Sequence, residues 1–593
     1  MRVADYIMQR LAEAGIGHVF LVTGRGALFL TDALAKHAEL QGISVHHEQS
    51  ASFAAAAYAH QTGGLGACLV STGCASTNTI TGVLSAWQDG IPCIFISGQN
   101  TLKETSRYTG IPLRTYGQQE ADIISIVQPI TKYAKMITSA EEIVEAMDTA
   151  LTLANTGRKG PVWIDVPLDL QSAQIDPETI ARASQAPVLP IATQQDMDAV
   201  VAALSAAKRP VVLIGNGLRS SGAADAFRQF VERWNVPVTF AASAPDAYGS
   251  ANARSIGSVG SMGCSRAGNF AVQNADLLLV LGCRLTSLTT GPDFCKFARA
   301  AKIVVVDIDQ VEHSKETVQI DRFVHAELAN FLERINAADC EPANAAWMAK
   351  CQHWKAIFSG PEPDFRHAER VDLYELAECL TELMPPSSTL VTDSGLNEVI
   401  LPTNIQFSDG MTAVHPAMQG AMGFALPAAI GAYYAKPQPV IAVIGDGSIM
   451  MNLQEFETIR YRNLPVKVIV INNNVYSIIR RRQQELFRKR VIGVDPANGV
   501  SAPDFSKVAA CFELDYIRID APDQLRSGLE DLLSRDGPVL CEIMGREDQE
   551  YIELGQTRSA IDRRFVRRPL EDQAPFLDRD LFLSEMVIEP IDQ

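Results

Sequence analysis

A chain of 593 residues is longer than one hydrophobic core accommodates and divides into about three or four domains. Its formal net charge of −18 leaves no general basic surface to neutralise nucleic-acid phosphates, and no apolar run reaches membrane length, so neither nucleic acid nor membrane is an expected partner. Eleven cysteines without a CxxC pair argue against a disulfide framework or a zinc site; they read as buried thiols of a reducing compartment, and the interleaved charges of the amino terminus point to the cytoplasm.

Residues 1 to about 170 alternate helical patterns with short buried strands such as Val19–Val22, Cys68–Ser71 and Ile94–Ser97, the alternation of an open parallel sheet. The alternation over Ile43–Val45 precedes an Ala-rich helix over Ala51–Ala59, which sets Glu48 at a strand-to-helix junction where the helix dipole favours a carboxylate. Gly73 and Gly82 punctuate the next loop and helix. Residues 171–195, flanked and interrupted by prolines, form a linker. The middle domain, 196–345, has strands Val211–Gly215, Leu277–Gly282 and Ile303–Ile308 that each end in or beside Gly or Asp, the geometry of a nucleotide-binding crevice. A third α/β domain spans 365–548. The charged tail 549–593, with Arg558, Arg563, Arg564, Arg567 and Arg568, is expected to fold over the site as a lid.

The third domain holds the stretch that the others serve. Val440–Ile444 is a β-branched run closed by Gly445; helical spacing of Leu453, Phe456 and Ile459 follows, with Asn452 and Glu455 placed as an N-terminal cap pair, before Val466–Ile471 returns as a second buried strand. In such a βαβ unit ligands bind at the carboxyl ends of the strands. Those ends carry Gly445-Asp446-Gly447 and Asn472-Asn473-Asn474, so Asp446 and Asn473 are expected to meet and to offer one carboxylate and one amide oxygen, hard ligands that suit Mg²⁺ with phosphate oxygens completing its shell. Gly447 lets a diphosphate approach the backbone, and Ser448 with the helix start supplies donors.

GDG, 24 intervening residues and NN resemble the signature of thiamine diphosphate (ThDP) enzymes, and GDGSIMMNLQEFETIRYRNLPVKVIVINNN resembles their acetolactate synthase branch. The resemblance implies three doubly wound α/β domains, one binding the cofactor's pyrimidine, one central and one binding its diphosphate. It implies that Asp446 and Asn473 coordinate Mg²⁺, that the carbonyl of Val475 is a third protein ligand, and that Gly447 and Ser448 touch the diphosphate. SVHHEQSASFAAAAYA resembles the segment whose single Glu, here Glu48, contacts N1′ of the aminopyrimidine. A carboxyl sharing a proton with N1′ favours the tautomer whose 4′ nitrogen is basic, each pKa unit so shifted being worth about 1.4 kcal/mol. In the family that Glu and the diphosphate site lie on different subunits, which implies a homodimer or a dimer of dimers with shared active sites. STGCASTNTITGVLSAWQDGIPCIFISGQ matches the Gly-rich segment with Gly73 and Asn78 in register; TDSGLN, containing Ser394 and Gly395, resembles a diphosphate-contacting loop. GAMGFALPAAIGA, from Gly420, is nearly the family's own wording, and its Met422 either wedges between the cofactor rings or fills a gap in the core. Tyr116 to Asp122 resembles the FQEAD stretch facing the reaction centre, which places Gln119 near the substrate. GSMGCSRAGNFAVQNADLLLVLGCRLTSLTTG resembles the FAD-binding region, with Gly215, Gly217, Met262, Gly282, Arg284, Asp307 and Asp309 at matching places; other relatives bind ADP or nothing there, and such a flavin is structural because carboligation needs no net electron transfer.

The departures concern the substrate. Cys74-Ala75 replace Pro-Gly, Val22 to Gly26 stand where a Tyr-Pro-Gly-Gly turn is usual, Leu396-Asn397 replace Gln-His, and Thr286 and Leu288 replace an acidic and a basic residue. Gln118 replaces an aromatic, and Arg482, beside Arg480 and Arg481, stands at a Trp position; the three arginines are either a solvated helix face or a hold for phosphate. The expected activity is ThDP- and Mg²⁺-dependent decarboxylation of pyruvate or a similar 2-keto acid, with transfer of the two-carbon acyl carbanion to a small-molecule acceptor carbonyl. Alternatives are two-carbon branching of a nucleotide-activated 4-keto sugar, which Gln118 and Arg482 favour, C–C bond hydrolysis or lysis, and a non-catalytic ThDP-binding regulatory subunit, against which Glu48, Asp446 and Asn473 argue.

Overall fold

The short β-branched runs assemble into three six-stranded parallel sheets, as the α/β pattern predicts. Residues 1–180, 187–366, 369–558 and 564–591 are described by the computed structural model of the chain. The first sheet runs from His18–Leu21 to Val162–Pro167, the second from Pro210–Ile214 to Arg322–His325, the third from Thr389–Thr392 to Val539–Met544. Counted in chain order within each sheet, the strands lie 2-1-3-4-6-5 in the first, 3-2-1-4-5-6 in the second and again 2-1-3-4-6-5 in the third. The strand expected at Val19–Val22 is His18–Leu21 and that at Cys68–Ser71 is Gly66–Val70, slides of one or two residues that arise because ladder pairing, not hydropathy, sets a strand's end.

The two outer domains share a core. Helix Glu48–Thr62 follows the second strand of the first sheet, helix Ala425–Ala435 the second strand of the third, and the two pack on each other. Their small residues make this possible: a Cβ on Gly431 would overlap the Ala54 carbonyl oxygen. Phe53 meets Phe424 edge to face at 5.2 Å, and Gln61 Nε2 donates to Thr389 Oγ1 (3.1 Å) and Thr412 Oγ1 (2.8 Å). Asn452 and Glu455 do not cap a helix, contrary to the sequence expectation. Asn452 Oδ1 accepts from Ser50 Oγ at 3.1 Å and Glu455 Oε1 from the His46 amide at 3.1 Å, so the pair is spent joining the outer domains.

The tail docks on the central domain over its described later part. Asn269 Nδ2 donates to Gln573 Oε1 (2.8 Å), Gln273 Nε2 to Glu571 Oε2 (2.6 Å) and Trp354 Nε1 to Glu585 Oε2 (2.9 Å), while Phe582 packs on Phe270. Arg558, Arg564, Arg567 and Arg568 of the tail's basic group are described; Arg563, like residues 181–186 of the linker, lies outside the described residues. Among the described residues no helix is long and apolar enough to cross a membrane. The thiols are not all buried: Cys74, Cys295 and Cys511 are exposed, because each sits in a short helix near a surface turn and not in a strand or the core face of a helix.

Candidate active site

The carboxyl edge of the third sheet brings together the residues expected to hold metal and diphosphate. Strand Val440–Gly445 pairs with Val466–Asn472, Gly445 lying opposite Ile471, so the loops carrying Asp446 and Asn473 leave adjacent strands at one level. Asp446 is 4 % exposed; its Oδ1 accepts from the Gly447 amide at 2.7 Å and its Oδ2 from the Asn474 amide at 2.5 Å. Burial pushes its carboxyl up to about 6, these amides opposing the shift and the negative Glu542 adding to it. Asn473 Oδ1 accepts from the Val475 amide at 3.3 Å, and Val475 is buried. A Cβ on Gly447 would overlap the Tyr476 ring, so its lost side chain makes room for an aromatic from the second loop. Across the edge, Gly395 (φ +97°) opens helix Leu396–Asn404, and Ser394 Oγ and Glu398 Oε2 are the nearest atoms to the open side of Gly420. Asp393, fully buried and pushed up to about 7 by burial, accepts from the Gly423 (3.1 Å) and Ala425 (2.7 Å) amides and from Ser448, which ties the Met422 loop to the Ser448 turn.

The corresponding edge of the first sheet gathers Glu48, Gly73, Asn78, Gln118 and Gln119. Glu48 starts its helix, as expected, and its Oε2 accepts from Asn78 Nδ2 at 2.9 Å, so the Gly-rich segment orients the carboxylate. Gly73 (φ +61°) admits the Gln119 carbonyl where a Cβ would otherwise lie, and Gln119 itself has the positive φ of +61°. Gln118 Oε1 accepts from Arg25 Nη1 at 2.9 Å; two departures from the family's pattern thus touch each other. Glu120 secures the loop with bonds from Ser106 Oγ (2.7 Å) and the Tyr116 amide (2.6 Å).

A third site, a cleft of about 340 Å³, opens at the carboxyl edge of the central sheet, where its strand order reverses. Gly215, Gly217, Gly282, Arg284, Asp307 and Asp309 line it as the sequence pattern requires; Met262 does not, its backbone bridging Glu553 and its side chain packing on the third-domain core. Asp309 Oδ2 accepts from Arg158 Nη1 at 2.7 Å, and Glu312 gathers Arg158 (2.8 Å), Arg284 (3.2 Å) and Lys315 (2.6 Å). Arg158 comes from the first domain, and no local pattern marks it. His60 Nδ1, Gln88 Oε1, Asn216 Oδ1 and His415 Nδ1, all from residues lining the cleft, are buried without a hydrogen-bond partner.

The chain matches three sequence-family models in order: the thiamine pyrophosphate enzyme N-terminal TPP binding domain over residues 1–126, the central domain over 197–335 and the C-terminal TPP binding domain over 393–543. It is 31% identical over 561 residues to the acetolactate synthase large subunit of Parasynechococcus marenigrum (strain WH8102), covering 92% of this chain and 88% of that one. The acetolactate synthase isozyme 1 large subunit of Escherichia coli (strain K12) is 31% identical over 556 residues, 92% of this chain and 95% of its own. The chain belongs to the thiamine pyrophosphate enzyme family. It lies on the acetolactate synthase branch of that family, a ThDP-dependent enzyme of carboligase type acting on small molecules.

The third edge fits the diphosphate end of such a cofactor. Thr392 Oγ1 and Asn472 Oδ1, at the ends of two of its strands, and Gln419 Oε1, next in the chain to Gly420, are buried without partners. The helix Ser477–Leu486 follows the Asn473 loop. Its arginines are engaged: Arg480 with Asp548 (2.8 Å) and Glu547 (3.1 Å), Arg481 with Glu485 (3.0 Å) and Glu553, Arg482 with Glu485 (3.0 Å) and Glu553 (3.2 Å). Glu553, which joins two of them, was not foreseeable from any spacing.

Proposed function

We propose that the chain decarboxylates pyruvate, or a similar 2-keto acid, and transfers the remaining acyl group to an acceptor carbonyl, using ThDP and Mg²⁺. The observation that carries this is Asp446: a buried carboxylate whose bonds come from neutral amides and whose charged neighbour Glu542 is also negative, set beside the Asn473 amide. Such an oxygen set calls for a hard divalent cation, and Asp446, Asn473 and the Val475 carbonyl are its proposed protein ligands. Gly447, Ser448, Ser394, Gly395 and Gly420 would hold the diphosphate, and Met422 would set the angle between the cofactor's rings. When bound, ThDP supplies a thiazolium carbon that accepts the electron pair left by decarboxylation. Glu48, positioned by Asn78, holds a proton against the aminopyrimidine, and Gln119 faces the substrate.

The proposed active unit is a dimer in which Glu48 of one subunit serves the third domain of the other, and the proposed occupant of the central cleft is FAD or another adenine nucleotide with a structural role. The test is a ¹³C NMR and calorimetric pair. Wild-type protein should bind ThDP only with Mg²⁺ present and release labelled CO₂ from pyruvate; ThDP binding equal with and without a chelator would overturn the metal assignment.

A further inference from the structure

One short segment forms a wall of two sites at once. His415, Ala417 and Met418 line the central cleft, and Gly420, which follows them, has its open side at the proposed diphosphate end of the third edge. The Gly420 amide donates to the Pro416 carbonyl at 2.8 Å, and Gln419 Nε2 fastens the turn to the Thr81 carbonyl at 3.0 Å. Glu398 Oε2 lies 3.6 Å from where a Gly420 Cβ would be, and Ser394 Oγ lies 3.8 Å from the same point. A phosphate held by Ser394 and Gly420 therefore sits within a few ångströms of the Glu398 carboxylate. No cation answers that carboxylate. Its Oε1 is 4.0 Å from His415 Nδ1, too far for a hydrogen bond, and among the described residues neither group makes another ion pair. His415 Nδ1 is buried without a partner, in a side chain 5% exposed. The charged groups around the pair are engaged elsewhere. Arg284 reaches Glu312 at 3.2 Å and the Gln88 carbonyl at 2.9 Å, Arg219 pairs with Asp246, and Asp393 is taken by the Gly423 and Ala425 amides. Asp89, which burial pushes up to about 7, accepts from the Met418 amide. Burial, with Arg219, His415 and Lys436 adding to it, pushes His60 well down, so His60 supplies no charge.

A diphosphate carries more negative charge than one Mg²⁺ offsets, so a bare carboxylate beside it is repelled. The repulsion is relieved when a proton from solvent settles on the pair, either making His415 a cation that answers both anions or neutralising Glu398. We propose that Glu398 and His415 act as one proton-accepting pair beside the cofactor's diphosphate, and that His415 is a positioning residue whose charge lets carboxylate and diphosphate stand together. This rests on the ThDP site proposed above. With Leu396-Asn397 in place of Gln-His, the Ser394 loop brings no imidazole of its own, and His415 supplies one from the neighbouring loop. The complex then holds a proton that the free pair lacks, so ThDP affinity falls as pH rises.

The experiment titrates ThDP into the full chain saturated with Mg²⁺ at about pH 7.5, by calorimetry in PIPES and in Tris, whose ionisation heats differ, and reads the protons taken up per ThDP bound. Glu48 and the aminopyrimidine share a proton in every variant, so the difference between proteins decides. Wild type should take up about half a proton more than the double variant Glu398→Gln/His415→Gln. His415→Gln alone leaves the carboxylate facing the diphosphate and should weaken ThDP binding about tenfold; adding Glu398→Gln should restore the affinity, a pattern that damage to packing does not give. Asp89→Asn should keep the uptake. Equal uptake by wild type and double variant, wild-type affinity in His415→Gln, or loss of the uptake in Asp89→Asn would overturn the inference. Should the His415 variants not fold by circular dichroism, Glu398→Gln decides: it should take up less proton than wild type and bind ThDP no more weakly, and wild-type uptake in it is the opposing result. Absence of Mg²⁺-dependent ThDP binding by wild type would instead overturn the cofactor site itself, a separable result.

Discussion

The first and third sheets have the same strand order, and the helices after their second strands pack on each other, yet their carboxyl edges do different work. The third edge gathers buried oxygen ligands and unpaired polar atoms, as a binding edge does. At the first edge the Glu48 carboxylate is steadied by the Asn78 amide, the arrangement proposed above for activation. On the proposed assignment, one scaffold used twice separates holding a cofactor from making it reactive, and a few loop residues distinguish the two edges.

That division is open to direct attack. Asp446→Ala should abolish both Mg²⁺-dependent ThDP binding by calorimetry and turnover, since it removes the charged ligand. Glu48→Gln should keep the binding and lose about 10²–10⁴-fold in turnover; an equal loss of affinity would erase the distinction between the edges. Between them, Gly431→Val forces a branched side chain into the Ala54 backbone and should cost about 1–3 kcal/mol in urea unfolding, with both edges disturbed together. The smallest effect concerns a carboxylate private to the first sheet. Asp165 is buried, bonded by Ser97 Oγ at 2.6 Å and Gln99 Nε2 at 3.2 Å, and burial pushes it up to about 7. The folded state therefore keeps a proton that the unfolded state has lost, so stability falls as pH rises from the unfolded carboxyl's range near 4 to about 7 and then levels. Asp165→Asn should flatten that slope, a difference of about 3 kcal/mol or less in the free energy of urea unfolding at pH 8 relative to pH 4.5.

What was legible in the sequence is what depends on neighbours in the chain or on a general rule of topology. Val440–Gly445 and Val466–Asn472 announce themselves by β-branching, and the rule that ligands gather at strand carboxyl ends then brings Asp446 to Asn473 across the intervening helix. Glu48 and Gly73 are legible for the same reason. The errors lie where distant segments compete for a side chain: Asn452 and Glu455 have the spacing of a helix cap, but Ser50 and His46 offer buried partners across the domain junction. Arg158 and Glu553 escaped because each acts on residues far away in the chain, and ion pairing of that range has no period to detect.

The docking of the tail has a consequence for how the chain is made. The central domain precedes the third in sequence, but Asn269 and Gln273, buried in it and already bonded there to Gly260 and Lys296, gain further partners at Gln573 and Glu571, and the Trp354 indole finds its acceptor at Glu585. A ribosome that has finished the central sheet has therefore not finished its polar core. The domain translated second is the last to be completed, and a nascent chain halted before residue 571 would lack these bonds and leave the Trp354 indole N–H without its acceptor, whatever the state of the two carboxyl edges.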